Sequence, residues 1–207
     1  MSGLRSIQTE YKGYLFRSRL EARWAVFLDA CGADWEYEPE GFDLGGGIHY
    51  LPDFLIHDAS IAHAYHKDGC DIYMEVKGRM NDTDAEKINL FYEAGYPEDS
   101  DWGVSQSAVL VVGSIPAGDD MYEILWHMQD EAYNDHPGWP NYYNFETVDG
   151  DYFGAFPGVD RKGRFTLFGD DSTYFYDMNR AATEKAYRMA RQARFEHGET
   201  PRIRRYR

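Results

Sequence analysis

The sequence predicts an α/β protein whose mixed central β-sheet is flanked by helices. Apolar residues recur at three- and four-residue spacing in residues 16–31, which indicates a helix. Residues 48–56 and 71–76 show the composition and the bounding turn residues that are typical of strands. Residues 108–112 read Ala-Val-Leu-Val-Val, an uninterrupted apolar run expected of a strand buried on both faces. The order helix, strands, helix, strand, helix indicates a mixed sheet with helices on its faces.

The first predicted helix carries signals at both of its ends. Ser18 is a candidate N-cap, and Glu21 stands three residues later, as in a capping box. Gly32 follows the last apolar position and suits the C-terminal end of the helix. Residues 35–38 then alternate as a short strand, and the three glycines of residues 45–47 predict a turn into the strand at 48–56.

The rest of the chain divides into regular and irregular parts. We expect a polar loop at residues 57–69 and helices at residues 83–94, 120–132 and 178–197. Residues 134–177 are rich in Gly, Pro, Asn, Asp and aromatic residues, and their strand candidates are short, such as residues 164–168. We therefore predict three parts: a core (1–133), an irregular aromatic and acidic insertion or extension (134–177), and a basic C-terminal helix and tail (178–207).

The net charge of −15 is distributed unevenly along the 207 residues. Residues 185–207 carry eight Lys or Arg and two Glu, whereas residues 31–184 carry eight basic and 31 acidic side chains, a net charge of −23. The acidic middle would repel a polyanion and the ends would attract one. This distribution argues against non-specific coating of nucleic acid but allows a local basic track.

Several common features are not found in the sequence. No run approaches the roughly 18 apolar residues of a membrane span. The N-terminus lacks the basic and apolar segments of a signal peptide. The two cysteines, Cys31 and Cys70, form neither a disulfide framework nor a CxxC pair. We expect a cytoplasmic protein with no membrane partner.

The strongest candidate site combines Pro52-Asp53 with Glu75-Val76-Lys77. Alternate residues of a strand share a face, so Glu75 and Lys77 point the same way. If the strand that holds Asp53 is the neighbour, its carboxylate can lie beside that of Glu75. Two such carboxylates repel each other unless a cation lies between them, and oxygen ligands of this kind suit Mg²⁺ or Mn²⁺. The set therefore indicates metal-assisted phosphodiester hydrolysis, in which Lys77 orients or helps to deprotonate the attacking water.

These motifs resemble the PD-(D/E)xK nuclease superfamily, which has the restriction-endonuclease-like fold. The segments that carry the resemblance are residues 16–25, 37–40, 50–54 and 74–78, in the same order as in phage-encoded and transposon-end nucleases of that superfamily. The resemblance covers roughly residues 13–113, and residues 114–207 look like the tails of phage-encoded relatives. It implies a restriction-endonuclease-like core and a nuclease of phage or mobile-element origin, acting in a bacterial or phage-infected cell.

The resemblance also implies roles for individual residues. Asp53 and Glu75 would be metal ligands, the Val76 carbonyl a further ligand, and Lys77 the catalytic lysine. Glu21 matches the acidic residue that completes the metal shell in those families. From the sequence alone, Glu21 is equally well explained as the capping-box glutamate or as an ion-pair partner of a neighbouring arginine.

Two groups of basic residues are candidate contacts for nucleic acid. One lies on the C-terminal helix at spacings of three residues, and the other surrounds the predicted site; they are Lys185, Arg188, Arg191 and Arg194, and Arg17, Arg19 and Arg23. Each phosphate that such residues neutralise would add salt-dependent affinity. The alternative for the helical group is a solvated face, or one that neutralises the acidic middle of its own chain.

The sequence thus predicts a Mg²⁺- or Mn²⁺-dependent nuclease, with DNA as the expected substrate. The alternative is a non-catalytic acidic interaction protein on the same fold, which would mimic DNA and bind a protein partner through residues 31–184. A homodimer is expected if the protein cuts both strands with one site per chain. A zinc site formed by His57, His63, His66 and Cys70 is less favoured, because their spacing is irregular.

Overall fold

The computed structural model describes residues 7–62, 69–94, 107–132, 144–146, 152–169 and 172–195. These residues form four α-helices: α1 (Arg19–Ala30), α2 (Asp82–Glu93), α3 (Met121–Ala132) and α4 (Arg180–Gln192). The strands before α2 are β1 (Thr9–Tyr11), β2 (Tyr14–Phe16), β3 (Asp34–Tyr37), β4 (Phe42–Asp43), β5 (His49–Tyr50), β6 (Phe54–Ala62) and β7 (Cys70–Val76). The later strands are β8 (Ser107–Val112), β9 (Asn144–Glu146), β10 (Tyr152–Val159) and β11 (Phe165–Gly169).

The central sheet of the described residues is mixed and has the strand order β11-β10-β9-β8-β7-β6-β3. Strand β6 is antiparallel to both β3 and β7, whereas β7 is parallel to β8. Strand β11 pairs with β10 and also, in parallel, with the end of β6, so the sheet curls on itself. The predicted mixed sheet flanked by helices is therefore confirmed.

Strand β6 differs from its prediction at both ends. The predicted strand at 48–56 is divided, because β5 pairs with β4 and β6 begins only at Phe54. The loop predicted at 57–69 is wrong for residues 57–62, where β6 continues to Ala62. The strand passes through an irregularity between Ile56 and Ala59, where Asp58 adopts a positive φ of 48°. At this bulge polar residues interrupt the alternation of apolar and polar positions along the strand. The sequence therefore indicates a loop there.

The aromatic segment contributes more regular structure than its composition predicts. Strand β11 confirms the candidate at 164–168, but β10 is missed, because glycine and Pro157 interrupt its pattern. Strands β9, β10 and β11 belong to the same sheet as β6, β7 and β8. The division of the chain into a core, an insertion and a C-terminal helix stays a prediction.

The C-terminal helix α4 packs on α1 and on β10. The aromatic rings of Phe27 and Tyr187 lie 4.4 Å apart, and the Tyr187 hydroxyl donates to the Pro157 carbonyl at 2.7 Å. Asn179 caps α4, which ends at Gln192, so the predicted helix at 178–197 is too long at both ends. Within the described residues, no helix is long and apolar enough to cross a membrane.

We expect Gly158→Ala to destabilise the fold, because α4 approaches β10 closely at this glycine. A Cβ atom there would lie 2.9 Å from both Cγ2 and Oγ1 of Thr183, which is fully buried and accepts a hydrogen bond from Val159 N at 3.0 Å. Overpacking of this kind costs about 1–3 kcal/mol. Chemical denaturation measures the loss.

Gly41→Ala is the matched control, because an added methyl group there meets nothing closer than 3.8 Å. We expect its free energy of unfolding to stay near that of the unchanged protein. Equal stability of the Gly158→Ala protein would show that α4 does not pack on β10 as described.

Candidate active site

The candidate site lies where β6 begins and β7 ends. Phe54 pairs with Met74 in the antiparallel register of these strands, so one further step places Asp53 opposite Glu75. Residues directly opposite each other share a face of the sheet. Lys77 follows β7, and its backbone N–H donates to the Val112 carbonyl of β8 at 2.8 Å. The structure therefore brings Asp53, Glu75 and Lys77 together, as the alternation of the strands predicts.

The Asp53 carboxylate is buried, and both of its oxygens have hydrogen-bond donors. Only 3% of the residue is exposed. Its Oδ2 atom accepts from the backbone N–H of Val76 at 2.7 Å, and its Oδ1 atom accepts from the guanidinium of Arg17. The backbone is fixed as well, because Glu38 N donates to the Asp53 carbonyl at 3.0 Å. This carboxylate is thus held rigidly beside the end of β7.

The Glu75 carboxylate is equally buried, at 3% exposure. Its Oε2 atom accepts from the hydroxyl of Tyr50 at 2.7 Å. Its Oε1 atom lies 2.6 Å from the ammonium of Lys77. Tyr50 is itself buried, and burial together with the charge of Glu75 raises the pKa of its hydroxyl well above the ordinary value. Tyr50 therefore remains a neutral donor to Glu75.

Burial and the neighbouring carboxylates disfavour the charged form of Asp53. Burial, and after it the charges of Glu75 and Glu21, together raise the pKa of Asp53 to about 8 against the opposing effects of the Val76 N–H and Arg17. At neutral pH the carboxyl group of Asp53 thus favours either a proton or a nearby cation. Perturbation of this kind is concentrated at functional sites.

Lys77 keeps its proton at this position. Its side chain is 23% exposed, and its ammonium lies 2.6 Å from Glu75 and 3.4 Å from Asp84 of α2. Burial lowers the pKa of Lys77, but the charges of Glu75, Asp53 and Asp84 outweigh burial, so the net pKa is raised. Lys77 is therefore a fixed positive charge next to the carboxylate pair.

Ser18 and Glu21 form the predicted N-terminal cap of α1. The backbone N–H of Glu21 donates to Ser18 Oγ at 3.2 Å, and Ser18 is the N-cap of α1. The Glu21 carboxylate accepts from Ser18 Oγ and Tyr37 OH, both at 2.7 Å, and from Arg17 N at 3.0 Å. Both oxygens thus have donors within the protein. Glu21 is near enough for its charge to raise the pKa of Asp53, and its role as a metal ligand stays a prediction.

Arg17 points into the site, although the sequence suggests a contact for nucleic acid. Its guanidinium lies on Asp53, and its Nε atom is 2.9 Å from Glu38 Oε1. About half of the side chain, 51%, remains exposed. Of its basic neighbours, Arg19 is the first residue of α1, and Arg23 donates to the Ala193 carbonyl at 3.4 Å. Their contact with nucleic acid stays a prediction.

Two arginines of the C-terminal helix bind their own chain. Arg188 donates to the Asp119 carbonyl at 3.3 Å, and Arg191 lies 3.2 Å from the Asp119 carboxylate. Arg191 also donates to the Pro116 carbonyl at 2.9 Å. This is the arrangement expected if the helix neutralises acidic residues of the same chain. Lys185 and Arg194 are exposed, and the phosphate track stays a prediction for all four residues.

Sequence patterns missed three partners of the site. Tyr50 donates to Glu75, Tyr37 donates to Glu21, and Asp84 lies beside Lys77. Asp84 has a local signal, since it follows the N-cap Asn81 in the first turn of α2. The two tyrosines have no such local signal, because their partners are distant in the sequence and contact them only in the folded chain.

The donor set fits a Mg²⁺-type ion better than Zn²⁺. Mg²⁺ needs only one or two carboxylates, because water and substrate phosphates complete its shell. Asp53 and Glu75 provide two carboxylates, whose mutual repulsion a divalent cation would relieve. No group of three or more His, Cys, Asp or Glu side chains in the described ranges converges as a metal site. Of the zinc candidates, His63 and His66 lie outside the described residues.

No protein-family model, no curated protein and no solved structure matches this chain. The resemblance to the PD-(D/E)xK superfamily and its restriction-endonuclease-like core therefore stays a prediction.

Proposed function

We propose that this protein is a metal-dependent nuclease that hydrolyses phosphodiester bonds in DNA. The observation that carries the proposal is the pair of buried carboxylates, Asp53 and Glu75, beside the ammonium of Lys77. The resemblance of the same residues to the PD-(D/E)xK superfamily supports a phage or mobile-element nuclease. In this proposal Asp53, Glu75 and Lys77 form the catalytic centre, with Glu21 and the Val76 carbonyl as further candidate ligands.

A purely structural role explains the carboxylate pair poorly. Breaking a buried ion pair is costly, but burying one adds little net stability compared with apolar packing. Two carboxylates in one buried site are less favourable still, and the raised pKa of Asp53 reflects that repulsion. A fold under selection for stability alone would gain by replacing one of them. Their juxtaposition is better explained by a cation that binds both.

Asp53 and Glu75 would hold Mg²⁺ or Mn²⁺. When bound, such an ion polarises the phosphoryl group and lowers the pKa of the attacking water. The hydrogen bonds from Val76 N–H to Asp53 and from Tyr50 to Glu75 keep the two carboxylates in fixed orientations. This preorganisation is what a site needs in order to hold an ion without rearranging at the moment of reaction.

Lys77 would act as a cation rather than as a base. Its raised pKa means that it stays protonated at neutral pH. An ammonium at this position can orient the attacking water and donate to a non-bridging phosphate oxygen, where negative charge grows in the transition state. The proton of the water must then pass to another acceptor, such as a phosphate oxygen or bulk water.

The acidic interaction protein is the second candidate function. The net charge of −23 on residues 31–184 favours it, because such a surface can bind a basic protein partner. It gives no reason for a lysine and two buried carboxylates at one site. It predicts stable capture of a basic protein and no cleavage of nucleic acid.

The proposal is tested with a panel of labelled substrates. Supercoiled, linear, single-stranded and branched DNA, and RNA, are incubated with the protein in Mg²⁺, Mn²⁺ or EDTA. We expect metal-dependent cleavage of at least one DNA, and no cleavage by the Asp53→Ala protein. Asp160→Asn is the matched control, because Asp160 is a buried carboxylate bonded to Arg164 and to backbone amides rather than to Glu75. We expect this control to cleave normally.

A further inference from the structure

We propose that Arg17 is an internal counter-ion that occupies Asp53 and exchanges with the divalent metal. This inference rests on the proposed metal site and adds a residue that controls access to it. On exchange, the guanidinium moves from Asp53 to the rim of the site, where it can contact a phosphate of the nucleic acid. Metal binding and nucleic-acid binding are then coupled through one side chain.

The contacts of Arg17 support the first part of the proposal. Its guanidinium bonds to Asp53 Oδ1, while Val76 N–H occupies Oδ2. A metal ion that binds Asp53 in this arrangement must compete with a positive charge already present on the same carboxylate. The other carboxylate, Glu75, is neutralised in the same way by Lys77. Each of the two buried carboxyl groups thus has a cation of the chain itself beside it.

The two cations differ in their freedom to leave. Lys77 is 23% exposed and is also held by Asp84, and its backbone is hydrogen-bonded to β8. Arg17 also has a hydrogen-bonded backbone N–H, which donates to Glu21 and Tyr37, but its side chain is 51% exposed and it lies outside any strand or helix, two positions before α1. Its side chain can therefore rotate away from Asp53 at a lower cost. Arg17 is the cation that a metal ion is expected to displace.

Glu38 would keep the displaced guanidinium near the site. It lies 2.9 Å from Arg17 Nε and is itself 31% exposed, so it stands at the rim and not among the buried groups. Arg17 can retain this contact while its remaining N–H groups turn outward. The planar guanidinium then has donors free for a phosphate, a group that arginine binds in bidentate fashion.

The test is calorimetric titration of MnCl₂ at pH 8.5 into the unchanged protein and into Arg17→Gln. Removing one adjacent positive charge is expected to tighten Mn²⁺ binding by about tenfold. Arg164→Gln is the matched control, because Arg164 also pairs with a buried carboxylate, Asp160, and should leave Mn²⁺ affinity unchanged. Circular dichroism checks the fold of each variant. If Arg17→Gln does not fold, Arg17→Lys, which keeps the charge but lacks the planar fork, should give a smaller gain.

The outcomes separate this inference from the proposed function. Tighter binding by Arg17→Gln or, in its place, by Arg17→Lys, with no change in Arg164→Gln, supports the exchange. Equal or weaker binding by the folded Arg17 variants would overturn the exchange while leaving the metal site in place. If the unchanged protein and the Arg17 variants all fail to bind Mn²⁺, then the metal site itself is wrong.

A second readout tests where the guanidinium goes. In a Lys77→Ala background, in which cleavage is slow, Mn²⁺ should strengthen binding to a fluorescent DNA duplex, and this gain should be several-fold smaller when Arg17→Gln is added. An equal gain with and without Arg17 would contradict the contact with phosphate.

Discussion

Lys77→Ala is expected to lower the rate of DNA cleavage by about 10²–10³-fold, the usual effect of removing one preorganised donor from a developing negative charge. The ammonium lies 2.6 Å from Glu75, and its raised pKa keeps it charged throughout the neutral range. The substitution removes that charge but leaves both carboxylates in place. Mn²⁺ binding should therefore be retained or tightened while the chemical step is lost, as single-turnover kinetics and calorimetry together would show.

Lys87→Ala is the control for this prediction. Lys87 lies one turn beyond Asp84 on α2, so the change removes a nearby lysine that makes no contact with Glu75 in the network described above. Its rate should match that of the unchanged protein. A Lys77→Ala protein that cleaves at the full rate would eliminate Lys77 from the mechanism.

The metal-free protein is expected to lose stability as the pH rises from about 5 through the raised pKa of Asp53. The folded pKa, about 8, lies above the ordinary value of 3.8, so the folded state binds a proton that the unfolded chain has released. The contribution of the Asp53 carboxyl group to the free energy of unfolding is therefore complete at low pH and is lost as the pH rises through the folded pKa. Asp53→Asn should abolish that part of the slope and raise the melting temperature near pH 8.5.

Metal ions should reverse the same slope. A divalent cation competes with the proton for Asp53, so Mg²⁺ or Mn²⁺ should raise the melting temperature more at pH 8.5 than at pH 6. Scanning calorimetry between pH 5.5 and 9, with and without metal, measures both effects. A flat or rising profile without metal, or an unchanged slope in Asp53→Asn, would show that Asp53 does not titrate as described.

The central contact of the site could be predicted from the sequence because it depends on local rules. Strand alternation places Glu75 and Lys77 on one face, and one step of register places Asp53 opposite Glu75. The helix cap formed by Ser18 and Glu21 depends on spacing alone and is confirmed. The mixed sheet could be predicted for the same reason, because apolar runs and alternating residues in the sequence directly reflect which faces of the strands are buried.

Contacts between distant residues could not be predicted in this way. Nothing near Arg17 in the sequence indicates that it bonds to Asp53, 36 positions later. The hydrogen bond from Tyr50 to Glu75 likewise joins residues 25 positions apart. The predicted strand ends at residue 56, whereas β6 continues to Ala62, because the bulge at Asp58 interrupts the alternation; β10 escapes prediction because Pro157 and its glycines resemble a loop.

These distant contacts change how the site is understood. The sequence suggests two carboxylates that await a metal, whereas the structure has each of them paired with a cation of its own chain. The affinity for metal then depends on the free-energy difference between two states: the carboxylates paired with Arg17 and Lys77, and the same carboxylates paired with a metal ion. We therefore expect moderate metal affinity that depends on pH and on Arg17, rather than the very tight binding of a preformed cage of free ligands.

The most direct test of the proposed function is cleavage of the best DNA of the panel, followed through removal and return of metal. We expect cleavage in Mg²⁺, none after EDTA, recovery with excess Mg²⁺, and no cleavage by Asp53→Ala at any stage. Cleavage that persists in EDTA, or that the Asp53→Ala protein performs as well as the unchanged protein, would contradict the carboxylate pair as the catalytic metal site.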